Sequence, residues 1–262
     1  MKRARVIPVL LVRGSGLYKS VRFGQEKYVG DPINAIRVFN EKEVDELIIL
    51  DVLATEERRG PRLDDVRDWA SECFMPVCYG GGVTTLDEME RLFQAGVEKV
   101  ALNAAAAENP ELVREAARAF GSQSVIAAVD VRKGWFGGHH VVTHRGRKKL
   151  AESPAGYVMR LRDLGAGEIL LQSVDRDGTG TGYDLELVRD IVHRVDVPVV
   201  AIGGAGEVRH LREALAAGAS AVAAGSMFVF HGKHRAVLIT YPDAETLASL
   251  TLAEGDGPRA TD

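Results

Sequence analysis

The sequence repeats itself at about half its length, and this repeat constrains the fold more than any other feature. The run RVIPVLLVRG at 5–14 recurs as SVIAAVDVRKG at 124–134. Three later pairs match at a common offset: ELIILDV (46–52) with EILLQSV (168–174), PVCYGGGV (76–83) with PVVAIGGAG (198–206), and AGVEKVALNAAA (95–106) with AGASAVAAGSMF (217–228). A repeat of this kind predicts two structurally similar halves.

Short apolar runs alternate with amphipathic stretches along the whole chain. The runs lack polar alternation, which is typical of parallel strands buried on both faces. They predict strands near 5–12, 46–51, 76–80, 98–102, 124–130, 167–173, 198–203 and 220–225. Helix starts are predicted at Asp31, at a threonine that opens the run TTLDEMERLFQAG (84–96), and at Asn109, the first and last followed by proline.

Eight such units predict a (β/α)₈ TIM barrel built from two half-barrels. The barrel should be a single domain over residues 1–252, with half-barrels at about 4–122 and 123–235 and a polar tail at 253–262. A doubly wound sheet is the alternative, but it accounts less well for a repeat in which strand ends and their glycines both match.

Composition excludes several classes of protein. The chain has 262 residues and a net charge of −4, which indicates neither a nucleic-acid nor a membrane partner. No apolar run reaches the roughly 18 residues of a membrane span, and Arg13 interrupts the first run, which we interpret as a strand and not a targeting segment. The two cysteines, Cys73 and Cys78, predict reduced thiols in the cytoplasm, and their spacing predicts no metal site.

Glycines and small residues follow four of the predicted strands in two matched pairs. Glycine and a helix N-terminus both let backbone N–H groups approach an anion. Two such sites across one barrel mouth suit a substrate with a phosphate at each end. The predicted phosphate-binding residues are Gly81, Gly82, Asn103 and Ala104 in the first half and Gly203, Gly204, Gly225 and Ser226 in the second.

The motifs GDP (30–32), YGGGV (79–83), VEKVALNAAA (97–106), AFGSQSV (119–125) and GAGEILLQSVDRDGT (165–179), with GGAG and AAGS later, resemble one family over residues 4–230. This family is the cyclase subunit of imidazole glycerol phosphate synthase (HisF), a lyase. The resemblance implies a HisH-like glutaminase docked at the N-terminal face of the barrel. Ammonia then crosses the barrel to a phosphorylated substrate, and no cofactor is required.

The family's two catalytic aspartates lie at the ends of the first and fifth strands, and only one is present here. Asp130 matches the second, whereas Leu11 stands in place of the first. Leucine cannot exchange a proton, so we expect impaired cyclisation. Lys19 and Asp177 match other family positions, but neither is obviously placed to replace residue 11. Gln172 stands where threonine is expected.

The opposite face keeps the family's pattern. Four charged residues match the gate of the family's ammonia channel: Arg5, Glu46, Lys99 and Glu168. The resemblance therefore implies a retained ammonia entrance, although charges on this face of a barrel also serve stability alone.

A changed mouth above an intact entrance resembles an offshoot of the family, the AglZ- or WbuZ-type proteins of surface-polysaccharide modification. This resemblance implies a glutaminase and a sugar amidotransferase as partners in the formation of acetamidino sugars. Three functions remain open: an ammonia-delivering subunit of this type, a working histidine-pathway cyclase, and a non-catalytic scaffold that activates a glutaminase.

The segment after the fifth strand predicts a short hairpin. His139, His140 and His144 are interpreted as solvated or anion-facing, and a basic run at 145–149 either faces a phosphate or is solvated. Trp135 and Phe136 are predicted to cover the mouth.

Overall fold

In a computed structural model, which describes residues 3–134, 137–232 and 234–251, eight parallel strands close into a barrel. The predicted Trp135–Phe136 cover and the polar tail lie outside the described residues. The barrel strands are β1 (Arg5–Arg13), β4 (Leu47–Asp51), β5 (Val77–Gly80), β6 (Lys99–Leu102), β7 (Val125–Lys133), β10 (Glu168–Ser173), β11 (Val199–Ile202) and β12 (Ala221–Ala224). The predicted (β/α)₈ fold is confirmed, and so is each of the eight predicted strands.

The strand order around the barrel follows the chain, and parallel pairing of β12 with β1 and of β7 with β10 closes it. Shorter strands extend the rim: β2 (Gly16–Ser20), β3 (Glu26–Gly30), β8 (His139–Thr143), β9 (Lys148–Lys149), β13 (Phe230–His231) and β14 (Ala236–Val237). The β7–β8–β9 segment is the hairpin predicted after the fifth strand.

Helices lie between successive barrel strands, and two further helices, α9 and α10, follow the last one. They are α1 (Pro32–Glu41), α2 (Leu63–Ser71), α3 (Leu86–Gln94), α4 (Ala104–Glu108), α5 (Glu111–Phe120), α6 (Pro154–Asp163), α7 (Leu185–Val192), α8 (Val208–Ala216), α9 (Ser226–Val229) and α10 (Ala244–Ala248), with a 3₁₀ turn at Ser122–Ser124. Since none of these described helices combines the length with the apolar character that a bilayer crossing requires, the structure contains no candidate span among them.

Two of the three predicted helix starts are confirmed. Asp31 accepts a hydrogen bond from the Asn34 amide at 3.1 Å, and Thr85 forms a reciprocal capping box with Glu88. The prediction at Asn109 was wrong, because Asn109 ends α4 and Pro110 occupies the N-cap position of α5 without a side-chain bond. A short helix, unrecognised in the sequence, had already begun at Ala104.

The repeat is visible in the elements themselves. β1 and β7 both run for nine residues and both continue into an antiparallel partner, β2 and β8 respectively. A short helix follows the last barrel strand of each half, α4 after β6 and α9 after β12.

The barrel carries two apolar layers because each strand is buried on both faces. The outer layer packs strands against helices and contains most of the core. The inner layer fills the barrel axis with Ile7, Val9, Ile48, Cys78, Ala101, Ile126, Leu170, Val200, Ile202, Ala221 and Ala223. This column separates the charges at the two ends of the barrel.

Candidate functional site

An open cavity of about 1000 Å³ occupies the carboxyl-terminal end of the barrel, where the loops after the strands meet. We call it the rim cavity. Its floor is the top of the inner apolar column, where Leu11, Leu50 and Ala128 are only partly buried. The predicted residues Lys19, Asp130 and Asp177 all line it, as do the predicted phosphate-binding residues.

Asp130 lies at the mouth of the barrel near the end of β7. Its carboxylate faces the cavity, and the residue is therefore only half-buried. Protein surrounds it on its other sides. Burial raises the pKa of Asp130 to about 7, and the nearby Asp177 charge adds to the shift while Asn103 opposes it. Asp130 can therefore both donate and accept a proton near neutral pH.

Leu11 lines the same cavity from β1. In the closed order of eight strands, β1 and β7 are four places apart in either direction, so Leu11 and Asp130 approach the mouth from opposite sides. Gln172 pairs with Asp130 in register on the neighbouring strand β10 and is buried. The mouth thus has a carboxylate on one side and a hydrocarbon on the other.

The Lys19 side chain enters the mouth from β2 and is 3% exposed. Its Nζ donates a hydrogen bond to the Val9 carbonyl. Burial lowers the pKa of Lys19 to about 7, against the attraction of Asp177. β2 folds back along β1 and brings the amine to that strand at Val9, two residues before Leu11.

Asp177 holds the loop between β1 and α1 against the loop after β10. Its carboxylate accepts hydrogen bonds from the Ser20 hydroxyl at 3.0 Å and from the Phe23 amide at 3.4 Å. Burial raises its pKa, and these hydrogen bonds and Lys19 act in the other direction. Asp177 is thus committed to positioning a loop as well as facing the cavity.

The rim glycines are matched in conformation across the two halves. Gly82 has φ of +72° and Gly204 has φ of +110°, a region that favours glycine. A Cβ at Gly82 would strike the Arg59 carbonyl, and one at Gly204 the Gly182 carbonyl. Backbone therefore packs on backbone at both turns, and α3 and α8 follow them.

Four charged side chains meet at the opposite, N-terminal end of the axis, and we call them the charged ring: Arg5, Glu46, Lys99 and Glu168. The Arg5 guanidinium donates to Glu46 at 2.6 Å and also to Glu168. The Lys99 amine donates to Glu46 at 2.9 Å and to Glu168 at 3.1 Å. Each cation bridges both carboxylates, so the predicted set closes into a neutral ring.

The basic run after the fifth strand reaches the rim cavity but is paired there. Arg147 contacts Glu56 at 3.1 Å, and Lys148 contacts Glu108 at 3.3 Å. Arg145 pairs with Glu26 and lies 3.6 Å from Glu56. Arg145, Arg147 and Lys148 thus join rim loops through carboxylates, while Arg147, Lys148 and Lys149 stay exposed to solvent.

Two of the three histidines also face carboxylates. His139 Nε2 lies 3.0 Å from Asp184, and His144 Nε2 lies 3.3 Å from Glu108. Within the described ranges, no group of three or more histidine, cysteine or acidic side chains is arranged to hold a metal ion. Both cysteines are free thiols, Cys73 half-buried and Cys78 buried in the barrel axis.

Sequence reasoning missed part of the cavity wall. Asp51 at the end of β4 accepts hydrogen bonds at both carboxylate oxygens from a single guanidinium nitrogen of Arg59, at 2.8 and 3.0 Å. Glu56 pairs with two residues of the basic run, Arg145 and Arg147. Both Arg59 and Glu56 belong to the charged stretch ATEERRG directly after a predicted strand, and that position at a strand end was the available signal.

Known proteins resemble this chain over most of its length. The family described as "Histidine biosynthesis protein" matches residues 5–235. A putative imidazole glycerol phosphate synthase subunit of Pseudomonas aeruginosa is 52% identical over 248 residues, covering 94% of this chain and 99% of the relative. A putative subunit from Leptospira interrogans is 42% identical, covering 95% and 99%. Imidazole glycerol phosphate synthase subunit HisF of Thermobifida fusca is 43% identical, covering 86% and 90%.

Proposed function

The chain belongs to the HisF family of imidazole glycerol phosphate synthase subunits, and from that premise we propose that it is the ammonia-accepting barrel subunit of a glutamine-dependent synthase. The observation that carries the proposal is that two complementary features lie at the two ends of the barrel axis. The neutral charged ring stands at the N-terminal end, an anion-suited cavity stands at the other, and an apolar column lies between them.

In this proposal Arg5, Glu46, Lys99 and Glu168 form the entrance, and a HisH-like glutaminase docks around them. The four charges of the ring neutralise one another, so the ring has no net charge with which to hold an ion. The apolar column beyond it makes ammonium costly to bury, and this favours passage of neutral ammonia. The inner column contains three small side chains, Ala101, Ala221 and Ala223, and in this proposal ammonia passes beside them.

Cys78 offers a direct test of the conduit, because its buried side chain belongs to the inner column. Cys78→Leu enlarges that side chain, whereas Cys78→Ala, the matched control, shrinks it. Both change stability by about 1–3 kcal/mol. The expected result is that Cys78→Leu loses glutamine-dependent turnover and keeps turnover with added ammonium salt, while Cys78→Ala keeps both. Equal loss with both nitrogen sources would contradict the conduit.

At the rim, Gly81, Gly82, Asn103 and Ala104 bind one phosphate and Gly203, Gly204, Gly225 and Ser226 the other. Asp130 carries proton transfer at the reacting centre. The family, the matched glycine turns and the titration of Asp130 near neutral pH together favour synthesis of imidazole glycerol phosphate as the reaction.

The test is formation of imidazole glycerol phosphate from the two-phosphate histidine-pathway intermediate with ammonium salt. Asp130→Asn should lower that rate by about 10²–10⁴. Growth of a strain lacking its own cyclase subunit gives an independent measure. No product from the unmodified protein, in either assay, would exclude this reaction.

A second function is favoured by Leu11, which puts hydrocarbon where the family's other aspartate is expected. On this alternative the chain delivers ammonia for acetamidino modification of a surface-polysaccharide sugar, with a sugar amidotransferase as the further partner. The Leu11→Asp variant separates the two functions. If the unmodified protein forms imidazole glycerol phosphate slowly and the variant forms it much faster, the mouth has been repurposed. If the unmodified protein is already active and the variant is no faster, the histidine reaction is supported.

A scaffold that only activates its glutaminase is the third possibility. It differs from both enzymes in one respect, because it needs no open axis. Cys78→Leu should then leave every activity of the complex unchanged, including glutamine hydrolysis, and Asp130→Asn should do the same.

A further inference from the structure

The two glycine turns at the rim are each held by a side chain from the helix that follows. Glu88 on α3 and His210 on α8 occupy equivalent positions in the two halves of the repeat. Glu88 accepts a hydrogen bond from the Thr84 amide at 2.7 Å, and Nδ1 of His210 accepts one from the Gly206 amide at 3.1 Å. Thr84 and Gly206 are equivalent as well. We call Glu88 and His210 the turn braces.

Both turn braces also contact the loop that supports their turn. A Cβ at Gly60 would meet the Glu88 carboxylate, and a Cβ at Gly182 would meet the His210 ring. Gly60 and Gly182 are again equivalent in the repeat, and the backbone of each loop packs against the rim glycine of its own half. Each turn brace therefore joins a helix start, a glycine turn and the preceding loop.

Helix capping alone does not explain this match. Glu88 belongs to a capping box, which stabilises the start of α3. At the start of α8, by contrast, the N-cap residue Glu207 makes no side-chain capping bond, and His210 still reaches back to the turn. The two halves thus share the bond to the turn and the contact with the supporting loop.

Only one of the two turn braces carries a negative charge. Glu88 lines the rim cavity, and its carboxylate also accepts a hydrogen bond from the Thr85 amide at 3.0 Å. His210 is buried, and an imidazole whose Nδ1 accepts a hydrogen bond is neutral. Its Nε2 lies 3.5 Å from the Glu207 carboxylate, which is paired with Arg209 at 2.7 Å. The same geometry is therefore built with different charges.

We propose that Glu88 and His210 are positioning residues for phosphate at the two rim turns, and that each sets the affinity of its own turn. The inference rests on the proposed function and adds two residues to it. By fixing its turn, each brace directs the free N–H groups of the rim glycines toward the cavity, where a helix N-terminus favours an anion. The Glu88 charge opposes a phosphate at the first turn, whereas His210 brings no such charge to the second.

The experiment uses inorganic phosphate as the probe, because it can occupy either turn without a reaction. Amide ¹H–¹⁵N NMR spectra report the first turn through Gly81–Gly82 and the second through Gly203–Gly204. His210→Phe removes the acceptor and should weaken phosphate binding by about threefold to tenfold at the second turn only. His210→Asn keeps an acceptor near the position of Nδ1 and should restore the affinity of the unmodified protein.

Glu88→Gln tests the charge of the other turn brace, since glutamine keeps an oxygen acceptor and loses the negative charge. Phosphate affinity at the first turn should rise by about threefold to tenfold, and the second turn should not change. Glu90→Gln on α3 and Arg212→Gln on α8 are the matched controls, because both side chains are exposed on the same two helices. Neither control should change either turn.

The outcomes separate the inference from the proposed function. Equal losses at both turns in His210→Phe, no loss at the second turn, or no recovery in His210→Asn would overturn the positioning role. An unchanged or lower affinity at the first turn in Glu88→Gln would overturn the effect of charge. If phosphate shifts none of the rim glycine amides of the unmodified protein, the proposed phosphate sites are wrong, and the inference is wrong with them. If phosphate binds at both turns but no imidazole product forms, only the reaction is excluded.

Discussion

The two ends of the barrel axis handle buried charge in opposite ways. In the charged ring every cation contacts two carboxylates, so the four side chains satisfy one another. At the mouth, Asp130 and Lys19 lie on different strands, and neither forms a salt bridge with any of the residues that the structure describes. Charges that satisfy one another stabilise a structure, whereas charges left without partners shift their pKa values and remain available for chemistry.

The largest effect should come from breaking the ring. Lys99→Met leaves the buried carboxylates of Glu46 and Glu168 to share Arg5. The loss of stability should be about 2–4 kcal/mol, below the usual value for a buried pair because Arg5 and Lys99 are partly exposed. Urea unfolding at pH 7 measures it. Adding Glu168→Gln to Lys99→Met should recover part of the loss, and an additive second loss would show that the ring is not a coupled unit.

Removing the Asp130 charge at the mouth should change the stability of the fold in the opposite direction, by increasing it. The folded-state pKa of Asp130, about 7, lies above its ordinary value of 3.8, so its contribution is fully present below pH 3.8 and is lost as pH rises through 7. Asp130→Asn should therefore stabilise the fold by about 1–3 kcal/mol at pH 8, with contact with cavity water reducing the full linkage value. The gain should vanish near pH 4. A loss of stability at pH 8 would mean that Asp130 has a partner.

Lys19→Met should show a smaller gain with the reverse pH dependence. The folded-state pKa, about 7, lies below the ordinary 10.5, so the contribution of Lys19 is present above pH 10.5 and is lost as pH falls through 7. The gain should be about 1–2 kcal/mol at pH 6 and should fade toward pH 10, since the lost hydrogen bond to Val9 offsets part of it. Thermal unfolding at the two pH values distinguishes this from a pH-independent packing effect.

A substitution outside both regions serves as a reference for the size of these stability changes. Ser153 caps α6 by accepting a hydrogen bond from the Gly156 amide at 3.2 Å. Ser153→Ala should cost about 1 kcal/mol. Because a neutral cap does not titrate, the cost should be the same at pH 6 and pH 8, and a pH-dependent cost would show that the effects at the mouth are not local.

Much of the fold could be predicted because its signals are local. A strand buried on both faces needs an apolar run, and a helix start needs a capping side chain, so both appear within a few residues of sequence. The prediction of a helix start at Asn109 failed because it too relied on local signals. The helix α4 is too short to show a helical periodicity in the sequence before Pro110.

The site was predictable only in part. The glycines and Asp130 stand at strand ends, and the parallel topology brings all strand ends to one rim. The partners of the basic run were not predictable, since Glu56 and Glu108 come from separate loops that meet only in the closed barrel.

By itself the sequence determined the order of the βα units, the half-barrel repeat, and the presence of a single carboxylate where the repeat offers two positions. Only the tertiary structure decided where the Lys19 amine goes and which charges neutralise one another. The physical reason is that side-chain identity and periodicity are carried by neighbouring residues, whereas burial and electrostatic pairing depend on elements that are far apart in the chain and adjacent only after the barrel has closed.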